Sequence, residues 1–427
     1  MKSVLESAAV RGLRGRVQRV APFIVGQFGA ALTTLIAGVL VARELGPAGR
    51  GVLAVISIAD ESALRLVGGG LPELSGRMQR LGRGRLGDLR RLLAAYMAGS
   101  VVVLLGPSAW MVRALFETTG WSTIAWGAAL AVAPAAGVWR AHLRHVAFAQ
   151  GRVRVANAIP VVQWGVVAAA FVILAELSSD PVVLIGLSYV LGVAASTAFA
   201  AMTAPHFAPG TPGRPLRGVA REYIRPGSMA VAGSLGTIAS ARLDQLVVVG
   251  LLGRRAAGLY AVAATLPSAM LQLGNALAWS AYKEAAESHD GGVSRRRLNR
   301  MTLAVAGLCA PAVVVAPILI PALFGQEFRG AVFAAQVLLV AAPLQARIIM
   351  VVVMSTAGGA PRVGAAAQVT CILVGLGLLP LFASAWGING AAAASAVGCV
   401  AGVAVAEVAS SRVSRPPRES DTRGSLG

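Results

Sequence analysis

Long apolar runs recur along the whole chain, and they restrict its fold more than any other feature. Stretches of about 18 or more apolar residues, separated by short polar or basic segments, fill most of the 427 residues. A helix of about 20 such residues crosses a hydrocarbon core of about 30 Å. The runs lack the alternation of barrel strands, and only helices or closed barrels pair every backbone group in lipid. We therefore predict an all-α membrane protein.

Hydropathy indicates about twelve transmembrane helices in two sets of six. The first set is predicted near 20–42, 50–72, 92–113, 121–140, 158–177 and 182–204, and the second near 227–252, 257–280, 301–324, 330–354, 365–386 and 388–409.

The basic residues orient these helices. The predicted inner segments hold 29 of the 38 lysines and arginines, whereas the outer turns hold five. Cytoplasmic loops carry this excess in membrane proteins, so we expect a multi-pass protein of the inner membrane with both termini cytoplasmic. The same distribution accounts for the net charge of +20 without a nucleic-acid partner.

The chain divides into two predicted lobes joined by a basic linker rich in proline and glycine. We predict a basic cytoplasmic segment over 1–19, an N-lobe over 20–204, a cytoplasmic linker over 205–226, a C-lobe over 227–409 and a disordered cytoplasmic tail over 410–427.

Two short segments indicate an internal repeat. LGPAGRGVLAV at 45–55 and LGRRAAGLYAV at 252–262 share five residues at a constant offset of 207. Each segment joins the first span of its half to the second, and an even number of spans separates them, so the repeat is parallel. Two parallel six-helix lobes are typical of a transporter that rocks around a central cavity.

Four segments, in this order and spacing, resemble the polysaccharide transporter branch of the multidrug/oligosaccharidyl-lipid/polysaccharide (MOP) exporter superfamily. They are VARELGPAGRGVLAV (41–55), RLDQLVVVGLLGRRAAGLYAVA (242–263), LFGQEFRGA (323–331) and WGINGAAAASAVG (386–398).

The resemblance implies a MATE-like fold of two lobes that exports a saccharide linked to polyprenyl pyrophosphate by alternating access. It implies as partners the lipid-linked saccharide, membrane lipids, and the glycosyltransferases or polymerase of the same pathway. A cation-coupled multidrug or toxin exporter of the same superfamily is the first alternative. A membrane enzyme of polysaccharide assembly is the second.

Charged residues inside predicted spans are the candidate site residues, because each costs about 2.5–3.5 kcal/mol at a helix centre on insertion scales. Arg242 and Asp244 lie in the seventh span and match the family's Arg-x-Asp pattern. Arg347, beside Gln345 in the tenth span, is a further candidate contact for an anion. A guanidinium that is always charged suits a pyrophosphate.

The second span carries Asp60, Glu61 and Arg65. Glu61 and Arg65 lie four residues apart with the acid first, an order that favours an ion pair. This pairing leaves Asp60 as an unpaired carboxylate. We therefore list Arg65 with the substrate contacts, and Asp60 and Glu61 as candidates for ion coupling, with neutralisation inside the span as the alternative.

No catalytic, metal or cofactor site is predicted. The four histidines, His142, His145, His206 and His289, fall on predicted cytoplasmic loops, and the chain has no P-loop motif. The three cysteines lie in apolar spans without a CxxC spacing, so we interpret them as small core residues.

Overall fold

The computed structural model describes residues 2–68, 71–72, 74–75, 86–116, 121–203, 220, 243–287, 295–357 and 361–413. These residues are helical apart from short turns, and no strand occurs among them. The helices are α1 (Lys2–Gly68), α2 (Leu86–Phe116), α3 (Trp121–Ala149), α4 (Val153–Ala175), α5 (Ser188–Thr203), α6 (243–263), α7 (Thr265–Glu287), α8 (Arg295–Phe324), α9 (Val332–Ala357) and α10 (Pro361–Val413).

Nine described helical stretches are long and apolar enough to cross a membrane. Three of them are longer than one crossing requires, with 37, 36 and 48 residues. Each of the three contains a glycine in the left-handed region: Gly46 (φ 64°), Gly253 (φ 81°) and Gly387 (φ 58°). Divided at Gly46 and Gly387, the stretches of 37 and 48 residues each give two arms of at least 18 residues, so the described residues hold eleven lengths that can cross a membrane. Only ten described residues, 243–252, precede Gly253, and the rest of the predicted seventh span lies outside the described residues.

Close contacts within α10 show that its direction reverses. A methyl group added at Gly390 would lie 1.9 Å from the carbonyl oxygen of Phe382, although eight residues of straight helix span about 12 Å. A methyl group added at Gly398 would lie 2.5 Å from the carbonyl oxygen of Cys371. The two arms, α10a before Gly387 and α10b after it, therefore pack antiparallel, and their glycines allow the backbones to approach closely.

The chain forms two compact units. Unit 1 comprises Met1–Ile238, Val248–Val262 and Ile320–Gly330, and unit 2 comprises Ala239–Val247, Ala263–Leu319 and Ala331–Gly427. The predicted linker lies outside the described residues except for residue 220, and the tail lies outside them beyond residue 413. The predicted domain limits therefore stay predictions.

Within unit 1 the two copies of the predicted repeat pack against each other. A methyl group added at Gly51 would lie 2.1 Å from the carbonyl oxygen of Arg254, and one added at Gly258 would lie 1.7 Å from that of Pro47. Arg254 and Gly258 are 207 positions after Pro47 and Gly51. Such reciprocal contacts are those of a local two-fold axis, so they support the repeat.

Two arginines of the predicted outer turns cap helix ends in unit 1. Arg43 donates from Nε to the carbonyl oxygen of Leu323 at 2.8 Å and from a terminal nitrogen to that of Ala322 at 2.7 Å. Arg254 donates to the carbonyl oxygen of Leu115. These carbonyls belong to the last turns of α8 and α2, where no intrahelical donor remains.

We expect Gly258→Ala to lower the thermal midpoint of the detergent-solubilised protein. The added methyl would overlap backbone atoms, and overpacking of this kind costs about 1–3 kcal/mol. Gly307→Ala in α8 is the matched control, because Gly307 is exposed and no atom lies within 4 Å of the added methyl. Equal midpoints for the two variants would contradict the close contact.

Candidate functional site

A buried carboxylate lies at the centre of the polar groups in unit 1. Asp60, in the second arm of α1, is 8% exposed and accepts a hydrogen bond of 2.7 Å at Oδ2 from the Tyr189 hydroxyl of α5. Its other oxygen, Oδ1, is buried without a hydrogen-bond partner among the described residues. Asp60, expected from the sequence to be unpaired, is thus held on one side only.

Arg140 of α3 balances part of this negative charge. Arg140 is 8% exposed, and its guanidinium lies within electrostatic range of Asp60. Nη1 of Arg140 donates to the Ser196 hydroxyl at 2.9 Å, and that hydroxyl donates to the Val193 carbonyl at 3.0 Å. The ring of Trp164 in α4 packs edge to face against that of Tyr189, with 6.1 Å between the ring centroids. The second arm of α1, α3, α4 and α5 therefore meet at this point of unit 1.

This arrangement suits reversible uptake of a cation. A buried carboxylate is costly unless its charge is balanced, and it becomes neutral when it binds a proton. Oδ1 of Asp60 is the atom that remains for a proton or a small cation, because Tyr189 occupies Oδ2.

Asp244 lies in unit 2, at the start of the described part of α6. Its Oδ2 accepts a hydrogen bond of 3.0 Å from the Ser395 hydroxyl of α10b, and its Oδ1 accepts one of 2.9 Å from the backbone N–H of Gln245. Both carboxylate oxygens therefore have donors, which distinguishes Asp244 from Asp60.

Two of the three cysteines of unit 2 lie side by side. The sulfur atoms of Cys371 and Cys399 are 3.9 Å apart, and both face Oε1 of Gln345, at 3.6 Å and 3.0 Å. All three cysteines are free and buried, which confirms their interpretation as core residues.

Arg347, predicted to contact substrate, is bound by acceptors inside unit 2. Nε and Nη2 of Arg347 both donate to Oε1 of Glu407 in α10b, the first at 3.2 Å. Nη1 donates to Asn299 Oδ1 at 2.7 Å and is 3.4 Å from Thr302 Oγ1. The Arg347 side chain is 12% exposed and that of Glu407 36%, so solvent reaches the pair from the glutamate side. The predicted role of Arg347 stays a prediction.

The remaining predicted site residues are only partly described. Arg242 lies outside the described residues, and of Arg65 only the helical backbone is described. The proposed Glu61–Arg65 pair therefore stays a prediction. Glu61 is half-buried beside Asp60 in unit 1, whereas Asp244 and Arg347 lie in unit 2.

The sequence interpretation of the fourth span was wrong at its inner end. Arg140 was predicted to be the last residue of the span, and His142 and His145 were predicted to lie on a loop, but α3 continues to Ala149 and buries both Arg140 and His142. Nδ1 of His142 lies 3.0 Å from the hydroxyl of Ser75. One signal was available, since Arg347 lies 207 positions after Arg140 and so occupies the equivalent place in the repeat.

No family model matches the chain, and neither does any curated protein sequence. An inward-facing MATE-family multidrug resistance transporter of the MOP superfamily matches with a TM-score of 0.64 and 15% identity, over 90% of this chain and 95% of that one. Lipid II flippase MurJ in an inward closed conformation matches with a TM-score of 0.66 and 13% identity, over 92% and 89%.

A MOP superfamily transporter from Pyrococcus furiosus also matches, with a TM-score of 0.61 and 14% identity over 94% of this chain and 96% of that one. The chain has the fold of a MOP superfamily transporter. This confirms the predicted fold class and the resemblance at the level of the fold. The MOP fold is shared by a drug transporter and by a lipid-linked flippase, so it admits both substrate classes.

We expect Tyr189→Phe to destabilise the protein by about 1–3 kcal/mol, because it leaves the buried Asp60 carboxylate without its hydroxyl donor. The same change in an Asp60→Ala background should cost clearly less, since contacting groups are coupled. Chemical or thermal unfolding of the four proteins measures this double-mutant cycle. A coupling energy of zero would show that the hydrogen bond does not stabilise the native state.

Proposed function

We propose that this chain flips an oligosaccharide linked to polyprenyl pyrophosphate across the inner membrane, for polysaccharide biosynthesis, by alternating access. The observation that carries the proposal is the MOP fold, which extends over 92% of the chain in the match to lipid II flippase MurJ.

The proposed substrate contacts are Arg242, Arg65, Arg347 and Asp244, and the three arginines would bind the pyrophosphate. A guanidinium binds phosphate oxygens through parallel N–H donors, and such charge-assisted hydrogen bonds are stronger than neutral ones. Arg347 already has Glu407 as a partner, so phosphate binding there requires the guanidinium to exchange one anionic acceptor for another. The partial exposure of Glu407 makes that exchange accessible to solvent.

In the proposed orientation both termini lie in the cytoplasm and the basic segments face the enzymes that build the lipid-linked saccharide. Glycosyltransferases would supply the substrate on this face, and a polymerase or ligase would consume it on the other. The Arg43 and Arg254 turns would then lie at the outer surface.

We expect Arg242→Ala to reduce flipping of a fluorescent polyprenyl-pyrophosphate saccharide in proteoliposomes by about tenfold or more. The loss of one charge-assisted phosphate contact costs about 1.5–3 kcal/mol. Arg113→Ala is the matched control, because Arg113 is exposed in the last turn of α2. Unchanged flipping by Arg242→Ala would remove Arg242 from the site, and no flipping by the wild-type protein would refute the proposed function.

The second candidate function is cation-coupled export of a drug or toxin. The observation that favours it is the buried Asp60 carboxylate. Its Oδ1 has no hydrogen-bond partner among the described residues, and Tyr189, which donates to Oδ2, lies in the same unit. Here Asp60, with Glu61 beside it, would take up the driving cation, and the exported compound would be a lipophilic cation.

We expect Asp60→Asn to remove the dependence of transport on an imposed proton or sodium gradient, because a neutral amide cannot exchange its charge. Asp180→Asn, at an exposed position before α5, should retain the full dependence. The gradient dependence is measured as uptake into proteoliposomes with and without each gradient. A lipid-linked saccharide and ethidium are tested as alternative substrates. Gradient-driven transport of ethidium alone would favour the exporter. A gradient response that survives in Asp60→Asn would place coupling elsewhere.

A further inference from the structure

An apolar groove runs between α9 and α10b, wholly within unit 2. It is open along one side, has a volume of about 250 Å³ and is lined by apolar residues. We call it the α9–α10 groove. Its lining residues are Val340, Ala341, Leu344, Ala396, Val397 and Val400.

The exposure of these residues describes the shape of the groove. Val340, Val397 and Val400 are 66%, 41% and 57% exposed, so they form its raised edges, whereas Ala341 is 5% exposed and lies at the floor. Small floor residues between branched edges leave a channel for a single aliphatic chain. At membrane depth such a channel is filled by a hydrocarbon chain, since water has no polar partner in it.

The helical register connects this groove to the polar cluster of unit 2. Arg347 follows Val340 by seven residues and Leu344 by three, so it lies on the same face of α9. Glu407 follows Val400 by seven residues on α10b and lies on the same face as well. Seven residues of helix advance about 10 Å. A lipid chain that continues from the groove between these two helix faces therefore reaches the Arg347–Glu407 pair.

That end of unit 2 carries an excess of positive charge. Arg295 Nε is 3.9 Å from the second oxygen of Glu407, so two arginines share one carboxylate. The Arg295 side chain is 60% exposed, and Arg296 and Arg300 are exposed as well. The 30 residues of α8 include no aspartate or glutamate, and its first turn adds the positive end of the helix dipole.

We infer that the α9–α10 groove binds the polyprenyl chain of an anionic lipid whose phosphate lies at the Arg295 end. The inference rests on the proposed function and assigns the lipid tail of that substrate to this surface. One groove suits a lipid with one chain better than a phospholipid with two. An isoprenoid chain also carries its methyl branches at intervals comparable with one helical turn, about 5.4 Å, so branches meet the spaces between successive side chains.

The experiment uses the full chain in vesicles of phosphatidylethanolamine and phosphatidylcholine, with a diazirine-bearing polyprenyl monophosphate as the probe. After irradiation, mass spectrometry locates the labelled residues. We expect labelling at 340–344 and 396–400. Label spread evenly over the exposed apolar positions of all helices would overturn the inference.

Two groove variants test the assignment. Ala396→Trp fills the channel, and Val397→Ala with Val400→Ala removes the edge that α10b contributes without a change in the core. Either variant should reduce labelling roughly tenfold, because the apolar burial of the chain is lost. Ala310→Trp at an exposed position of α8, and Val314→Ala with Val315→Ala, are the matched controls. Equal labelling of a folded groove variant and its control would overturn the inference.

Competition identifies the lipid class. Excess unlabelled polyprenyl phosphate should prevent labelling, whereas phosphatidylglycerol or inorganic pyrophosphate at the same concentration should not. Equal protection by phosphatidylglycerol would show a general phospholipid site and overturn the assignment.

If groove variants label normally while wild-type protein flips the saccharide, only the groove assignment fails. If wild-type protein is labelled in the groove but flips nothing, the proposed function fails.

Discussion

Every backbone polar group in the membrane needs a partner, and this requirement shapes the turns of the protein as much as its helices. A helix that ends near lipid leaves its last four carbonyls without donors. Arg43 and Arg254 donate to such carbonyls at the ends of α8 and α2, and glycines with positive φ make the reversals short. Two of the five cations of the predicted outer turns, Arg43 and Arg254, are therefore structural groups, which gives a reason for their presence on a face that is predicted to be poor in them.

The fold was predictable from the sequence because its main signals are local. Apolar runs of membrane length indicate the helices, and the matching segments at 45–55 and 252–262 indicate the repeat. Gly46 and Gly253 indeed share the left-handed conformation, and Gly51 and Gly258 make the reciprocal contacts of a two-fold axis. Helix ends were harder to predict. The hydropathy profile ends the fourth span at Arg140 and assigns His142 to a loop, whereas the structure buries both inside α3, where Ser196 and Ser75 are their partners.

The candidate site was predictable only as a set of costly charges. Tyr189 is 129 residues from Asp60, and Glu407 is 60 residues from Arg347. No spacing rule along one helix can find such partners. The sequence therefore favoured the local Glu61–Arg65 pair and left Asp60 unpaired, although a tyrosine of another helix donates to it. Likewise, the sequence indicated Arg347 as a phosphate contact but gave no sign of Glu407, which already accepts its hydrogen bonds.

The repeat separates the residues that both halves share from those in which they differ. Arg140 and Arg347 occupy equivalent positions, and in each unit a hydroxyl and a carboxylate on other helices compensate the guanidinium. The acids do not repeat, since Asp60 corresponds to Pro267 and Asp244 to Ala37 at the same offset. A duplicated scaffold keeps what both halves need for folding, so the arginines have a structural role even where they also bind substrate. The unrepeated carboxylates have no such common role, and Asp60, with one oxygen free of hydrogen bonds among the described residues, is the stronger candidate for coupling of the two.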